Sequence, residues 1–234
     1  MVEDFEVEAY LSISPRKFGI YLFDKKNFKN LYNEELLLKS KNESIDLNAL
    51  NIFLDENIFK IEKLIGKFIE NIFLILEIDK ISNLNFGIKK KNYEETINHK
   101  FLENILIDAR DLFKQNYKEQ KIIHVLISRY LVDGNQFFYF NENFKGENLC
   151  LEIKFKSISY IFLSEIDKIL EKFQIKIINY LDGNYIKSQF KDDDIEFSLM
   201  VSKILNGHNP NEVVIVPKNQ QKKGFFEKFF QLFS

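Results

Sequence analysis

Val7-Glu-Ala-Tyr-Leu-Ser-Ile-Ser-Pro-Arg-Lys-Phe-Gly-Ile-Tyr-Leu-Phe23 is the stretch that decides the fold class. Two apolar runs, Val7 to Ile13 and Phe18 to Phe23, flank the turn Ser14-Pro15-Arg16-Lys17, so the spacing predicts an antiparallel strand pair. Downstream the period changes. Asp46 or Ser44 can cap a helix over 47–70, where Leu47, Leu50, Phe53, Leu54, Ile58, Ile61, Leu64, Ile65 and Phe68 recur at three and four residues. Ile72 to Leu76 then reads as a short buried strand, and Asn83 to Lys89 as another that ends in a basic turn, Lys89-Lys90-Lys91.

Further out, a second helix is expected from Tyr93 to Asn116, with Ile97, Phe101, Ile105, Ala109, Leu112 and Phe113 on one face. Ile122 to Val132 reads as a strand, Asp133-Gly134-Asn135 as a turn and Phe137 to Phe140 as a short strand. From Leu149 to Tyr160, Leu149, Leu151, Ile153 and Phe155 alternate with Cys150, Glu152, Lys154 and Lys156, the pattern of a half-buried strand. A helix from Ser164 to Phe173 and a strand from Ile175 to Leu181 follow. Asp182-Gly183-Asn184 leads into a helix whose clearest part is 194–205, closed by Asn206-Gly207. Helices thus lie between strands without internal repeat, which predicts an α/β (mixed α+β) fold.

With 234 residues, 45% of them hydrophobic, the chain can bury a sizeable core. A net charge of −2 gives no basic footprint, so no nucleic-acid partner is expected. Cys150 is the lone cysteine, the acidic N-terminus lacks an apolar signal core, and the apolar stretches fall short of the ~20 residues a spanning helix needs. The expected location is therefore cytoplasmic, with any membrane contact peripheral.

The C-terminus is set apart. Residues 208–223 contain Pro210, Pro217 and several lysines and read as a flexible linker. Beyond them, Phe225, Phe226, Phe229, Phe230, Leu232 and Phe233 would occupy about 160° of a helical circumference. Glu227, Lys228, Gln231 and Ser234 fill the other side, and Lys222 and Lys223 precede it where anionic headgroups would lie. This is the pattern of an interfacial helix over 224–234, and these eight residues, the two lysines and six apolar ones, are the expected membrane-binding set. Docking on the protein's own core or in a partner's groove would use the same pattern.

Enzyme signatures are absent. Eight glycines are scattered without a phosphate-binding cluster, so no cofactor is expected. His99, His124 and His208 lie far apart with no metal-ligand spacing, and His124 in its apolar strand reads as a core residue. Cys150 has no activating histidine pattern. Asp192-Asp193-Asp194 precedes a helix, where acids favour the dipole. Catalytic, cofactor and metal sites are all expected to be none.

The order of these segments resembles the FtsA family of bacterial cell-division proteins. Leu11 to Leu22 looks like the family's first hairpin, and Leu47 to Leu76 is similar to its first long helix and following strand. Lys121-Ile-Ile-His-Val-Leu-Ile-Ser-Arg-Tyr-Leu-Val-Asp133 resembles a strand of its inserted SHS2 domain. Leu149 to Phe190 resembles the return into the first subdomain, and Phe197 to Gly207 its final helix before the linker. The resemblance implies an actin-like (ribonuclease-H-like) subdomain over 1–80 and 174–207, an SHS2-like insert over 81–173, the linker and the membrane helix. Where the family carries an acidic, glycine-bearing phosphate loop, this chain has Ser12, Ser14, Pro15 and Arg16, and the family's second lobe is missing. That lobe contacts FtsZ, so FtsZ contact is doubtful here. What remains implies a non-enzymatic adaptor at the inner face of the cell membrane, binding anionic lipid through the tail and divisome proteins through the insert. Weak anchors of this kind act together, so self-association or a partner would strengthen recruitment. The alternatives are a PilM-like adaptor of another envelope assembly, or an ATP-binding protein of the actin and sugar-kinase type.

Overall fold

A computed structural model of the chain describes residues 6–39, 44–93, 96–141, 144–191 and 194–213. Chain order gives strands β1 (Val7–Ile13), β2 (Lys17–Asp24) and β3 (Lys29–Leu37), helix α1 (Leu47–Ile65), and strands β4 (Asn71–Leu76) and β5 (Ser82–Lys91). Then come α2 (His99–Asn116), β6 (Gln120–Val132), β7 (Asn135–Phe137), β8 (Asn148–Ser159) and α3 (Tyr160–Glu171). The chain continues with β9 (Lys176–Asp182), α4 (Gly183–Gln189), α5 (Phe197–Leu205) and β10 (Glu212–Val213). The described residues divide into two compact units, one formed by those up to Lys80 with Ile161–His208, the other by those of Ile81–Tyr160 with residues 209–213.

In the first unit the strand order is β3-β2-β1-β4-β9. β1, β2 and β3 form an antiparallel meander, and β4 and β9 extend it in parallel. Phe18 of β2 packs on Phe53 of α1, while Tyr21 packs on Phe197 of α5. An odd offset along a strand reverses the face, so the two helices cover opposite sides of the sheet. β1 is accordingly buried without alternation from Ala9 to Ile13. α1 begins because the Asp46 carboxylate accepts from Ala49 N at 2.9 Å, and ends because Gly66 takes φ +68°. The mixed α/β arrangement is the one expected from the sequence.

The second unit is an antiparallel sheet ordered β10-β6-β8-β5, with β7 attached to β6 and α2 on one face. The alternation of β8 delivers Leu149, Leu151, Ile153 and Phe155 to a core shared with Ile105, Ala109 and Phe113 of α2. Phe155, Phe113 and Phe86 meet at centroid distances of 5.2–6.2 Å. Asp133 and Gly134 both have positive φ, the conformation of a tight β6–β7 hairpin turn.

Several boundaries differ from the sequence expectation. The first helix stops at Ile65 rather than 70, because Gly66 leaves the helical region. The second starts at His99 rather than Tyr93, where the Asn98 side chain accepts from Phe101 N. α3 begins at Tyr160, ahead of Ser164, and from Ile161 on belongs to the first unit, so the insert ends near 160 and not 173. Lys89, Lys90 and Lys91 form no turn: they pair with Cys150, Leu149 and Asn148 of β8. Residues 209–213 are not linker, because Glu212 and Val213 pair with Leu126 and Val125 and Val213 is buried.

Phe155→Ala is expected to cost about 3–5 kcal/mol of stability, because it empties a fully buried aromatic site. Leu37→Ala, 76% exposed on the edge strand, should stay within ~0.5 kcal/mol. Denaturant unfolding of the two variants checks the contrast.

Candidate functional site

Parallel strands leave a crevice beyond their carboxyl ends, and in the first unit β1, β4 and β9 end together. A cleft of about 390 Å³ lies there, lined by the β1–β2 turn, by Glu77 to Lys80 after β4, and by Asn184 and Phe162. An anion cradle would have to be built from the N–H groups of that turn and of α4.

The turn bonds to itself instead. Ser14 N donates to Lys17 O at 2.9 Å, and the Ser14 hydroxyl accepts from Lys17 N at 2.8 Å and from Arg16 N at 3.3 Å. Pro15 has no N–H to give. At α4 the Asp182 carboxylate accepts from Asn184 N and Tyr185 N at 2.9 and 3.2 Å, so the protein's own acid caps the helix.

Glu77, which lines the cleft, belongs to an ion pair. The Glu77 carboxylate accepts from the buried Ser12 hydroxyl at 3.1 Å and pairs with Lys187, whose ammonium lies 5.1 Å from the Phe197 ring centroid. Gly183 is needed beside it: a Cβ there would stand 2.4 Å from Glu77 Cγ and 3.0 Å from Ile75 Cγ2. Close by, burial and the Glu35 carboxylate push the Tyr21 phenol above its ordinary range. Lys80 reaches over the Phe162 ring at 5.4 Å.

Sequence reasoning missed this cluster, since Ser12, Glu77 and Lys187 are widely separated along the chain and carry no shared local pattern. The residues it did single out are scattered. His124 is buried, with Nδ1 2.6 Å from Glu212 Oε1, while His99 lies against Phe140 and His208 against Phe190. No group of three or more His, Cys, Asp and Glu suited to a metal occurs among the described residues. Burial and then Glu152 raise the Cys150 thiol above its usual range, opposite to what a nucleophile requires. Asp194 lies exposed ahead of α5, while Asp192 and Asp193 fall outside the described residues. Lys222, Lys223, Phe225, Phe226, Phe229, Phe230, Leu232 and Phe233 also lie outside them. No helix among the described residues is long and apolar enough to cross a membrane.

No family model matches the sequence, and no curated protein does. Among solved structures, the chain is similar to the cytoplasmic domain of EpsL, an inner membrane component of the type II secretion system of Vibrio cholerae. That match has 8% identity and a TM-score of 0.38, over 77% of this chain and 59% of that one. The PilM-PilN type IV pilus biogenesis complex gives 7% identity and 0.45, over 79% and 50%. A Bacteroides thetaiotaomicron protein with an actin-like ATPase fold and unknown function gives 11% and 0.32, over 83% and 61%. The chain thus spans between half and about three-fifths of those chains.

Gly183→Ala should lower stability by about 1–3 kcal/mol through the clash with Glu77. Adding Glu77→Ala should recover part of that loss, so a double-mutant cycle by thermal unfolding is expected to be non-additive.

Proposed function

We propose that this chain is a non-enzymatic, membrane-associated adaptor. The reading is carried by the amphipathic segment 224–234, which places Phe225, Phe226, Phe229, Phe230, Leu232 and Phe233 against the acyl boundary, with Lys222 and Lys223 at anionic headgroups. Burying six such side chains at roughly 1.5–3 kcal/mol each is an upper bound. Folding and immobilisation reduce it to reversible attachment, so recruitment is strengthened by self-association or a partner.

The non-enzymatic part is supported at the cleft. The turn donors that would meet a phosphate are bonded to Ser14 and Lys17, and Glu77 is committed to Lys187. The finer assignment, an FtsA-like adaptor that recruits divisome proteins through the second unit at the inner face of the membrane, rests on the sequence resemblance. A PilM-like role in a different envelope machine is separated from it by neighbouring genes: cell-wall and FtsZ genes against pilus genes.

Co-sedimentation with anionic liposomes is the test. The native chain should bind and the Phe229→Asp, Phe230→Asp variant should stay in the supernatant with an unchanged melting temperature. Equal binding by both would remove the anchor, and a large loss of stability would place the segment on the core. Calorimetry should detect no micromolar ATP binding; a clear isotherm would restore the ATP-binding alternative.

A further inference from the structure

The first unit carries a groove of mixed apolar and acidic lining that its own core leaves open. It runs between α1 and the α3–β9 connection, about 390 Å³ in volume, on a floor of Ile58 and Ile69 with half-buried Phe173 at its side. Phe59 and Phe68 stand on its rim 71% and 80% exposed, among the most solvent-facing phenylalanines of the described chain. Two large aromatic rings exposed beside one cleft offer apolar surface that a docked segment would cover.

The rim charge says what kind of segment fits. Asp55, Glu62 and Glu70 line the groove against a single base, Lys172, whose ammonium already donates to Asn51 at 3.1 Å. A suitable occupant is short, aromatic and basic. Residues 218–234 meet that description: they carry Lys218, Lys222, Lys223 and Lys228 against the lone acid Glu227, and five phenylalanines. The lengths agree as well. From Phe225 to Phe233 a helix would extend ~12 Å, and α1 from Asp55 to Glu62 extends ~10 Å.

We propose that this groove is a docking site for the chain's phenylalanine-rich C-terminal segment, so that the segment has two competing destinations, the groove and a lipid surface. The competition rests on the anchor reading above; the docking itself does not. With the same six apolar side chains needed in both places, docking withholds the anchor and lipid displaces it. Occupancy then depends on how much anionic surface is present, and high salt weakens both arms by screening the lysines.

The docking is tested with a fluorescein-labelled peptide of residues 218–234. It is titrated by anisotropy against the whole chain carrying Phe229→Asp and Phe230→Asp, which disables its own segment. Saturable binding is expected. Adding Phe59→Asp and Phe68→Asp should weaken it at least tenfold with an unchanged melting temperature, since both rings are exposed. A second variant, Asp55→Lys with Glu70→Lys, leaves every apolar contact in place and should weaken binding by a similar factor. Equal affinity for all three proteins, or no binding to any, overturns the proposal. The competition is read separately by sedimentation with phosphatidylglycerol vesicles at sub-saturating lipid. There Phe59→Asp with Phe68→Asp in an otherwise native chain should raise the bound fraction severalfold. An unchanged fraction overturns the competition. If neither protein sediments, the anchor reading has failed, and the peptide titration still decides the groove.

Discussion

The parallel pairing of β1 with β4 is the constraint on which the first unit depends. Tyr10 to Ile13 aligns with Phe73 to Leu76, and every β1 side chain from Ala9 to Ile13 is buried. A strand buried on both faces cannot alternate, so the chain must supply cover on each side. α1 does so on the Phe18 side and α5 on the Tyr21 side. Parallel neighbours also require a long connection between them. β4 and β9 are such neighbours, and the stretch joining them contains the whole of β5 to β8 as well as α3. The second unit, apart from β10, is thus inserted where the topology already demanded a crossover.

The same constraint makes the cleft. Strands ending side by side leave their final carbonyls and the following turns facing one crevice. What the crevice does depends on which groups are left unpaired, because a buried donor or charge without a partner is costly. Here the partners come from the chain itself. The Ser14 hydroxyl occupies the position of an anion toward Arg16 N and Lys17 N, and Lys187 supplies the cation that Glu77 needs. Glu77 is the more buried member, so removing Lys187 would cost it its cationic partner, whereas Lys187 is about half exposed and solvent would meet its charge.

How much of this was legible in the sequence follows from the range of each interaction. The β1–β2 hairpin and β8 were readable because a period of two is a local signal, and α1 because its apolar residues repeat locally. β3 was missed: Lys-Asn-Leu-Tyr-Asn-Glu-Glu-Leu-Leu is a mostly exposed edge strand, with no buried face to impose a pattern. Lys89-Lys90-Lys91 read as a turn for the same reason, since an edge strand can end in charges that a central strand could not. Gly66 ended α1 although Phe68 continued the apolar spacing, because backbone conformation overrode periodicity. β10 spans only two residues and was invisible to any periodic test, although Glu212 holds the buried His124. The Ser12–Glu77–Lys187 cluster is made by folding, and nothing local announces it.

The exposed rings on the described surface and the apolar stripe of the C-terminal segment follow from one physical rule. An aromatic side chain left in water forgoes roughly 1.5–3 kcal/mol of burial, so several of them near one another imply a state in which they are covered. A rigid groove can supply that cover only to a segment of matching length and charge. A lipid surface supplies it to any segment with the right periodicity, provided the headgroups attract its lysines. As a helix, the segment would meet both conditions, with its phenylalanines on one side and its lysines outside that stripe. Had the lysines been interleaved among the rings, a bilayer would exclude it and an acidic-rimmed groove would not. The separation of aromatic and basic residues is therefore the feature on which the proposed exchange between a protein face and a membrane rests.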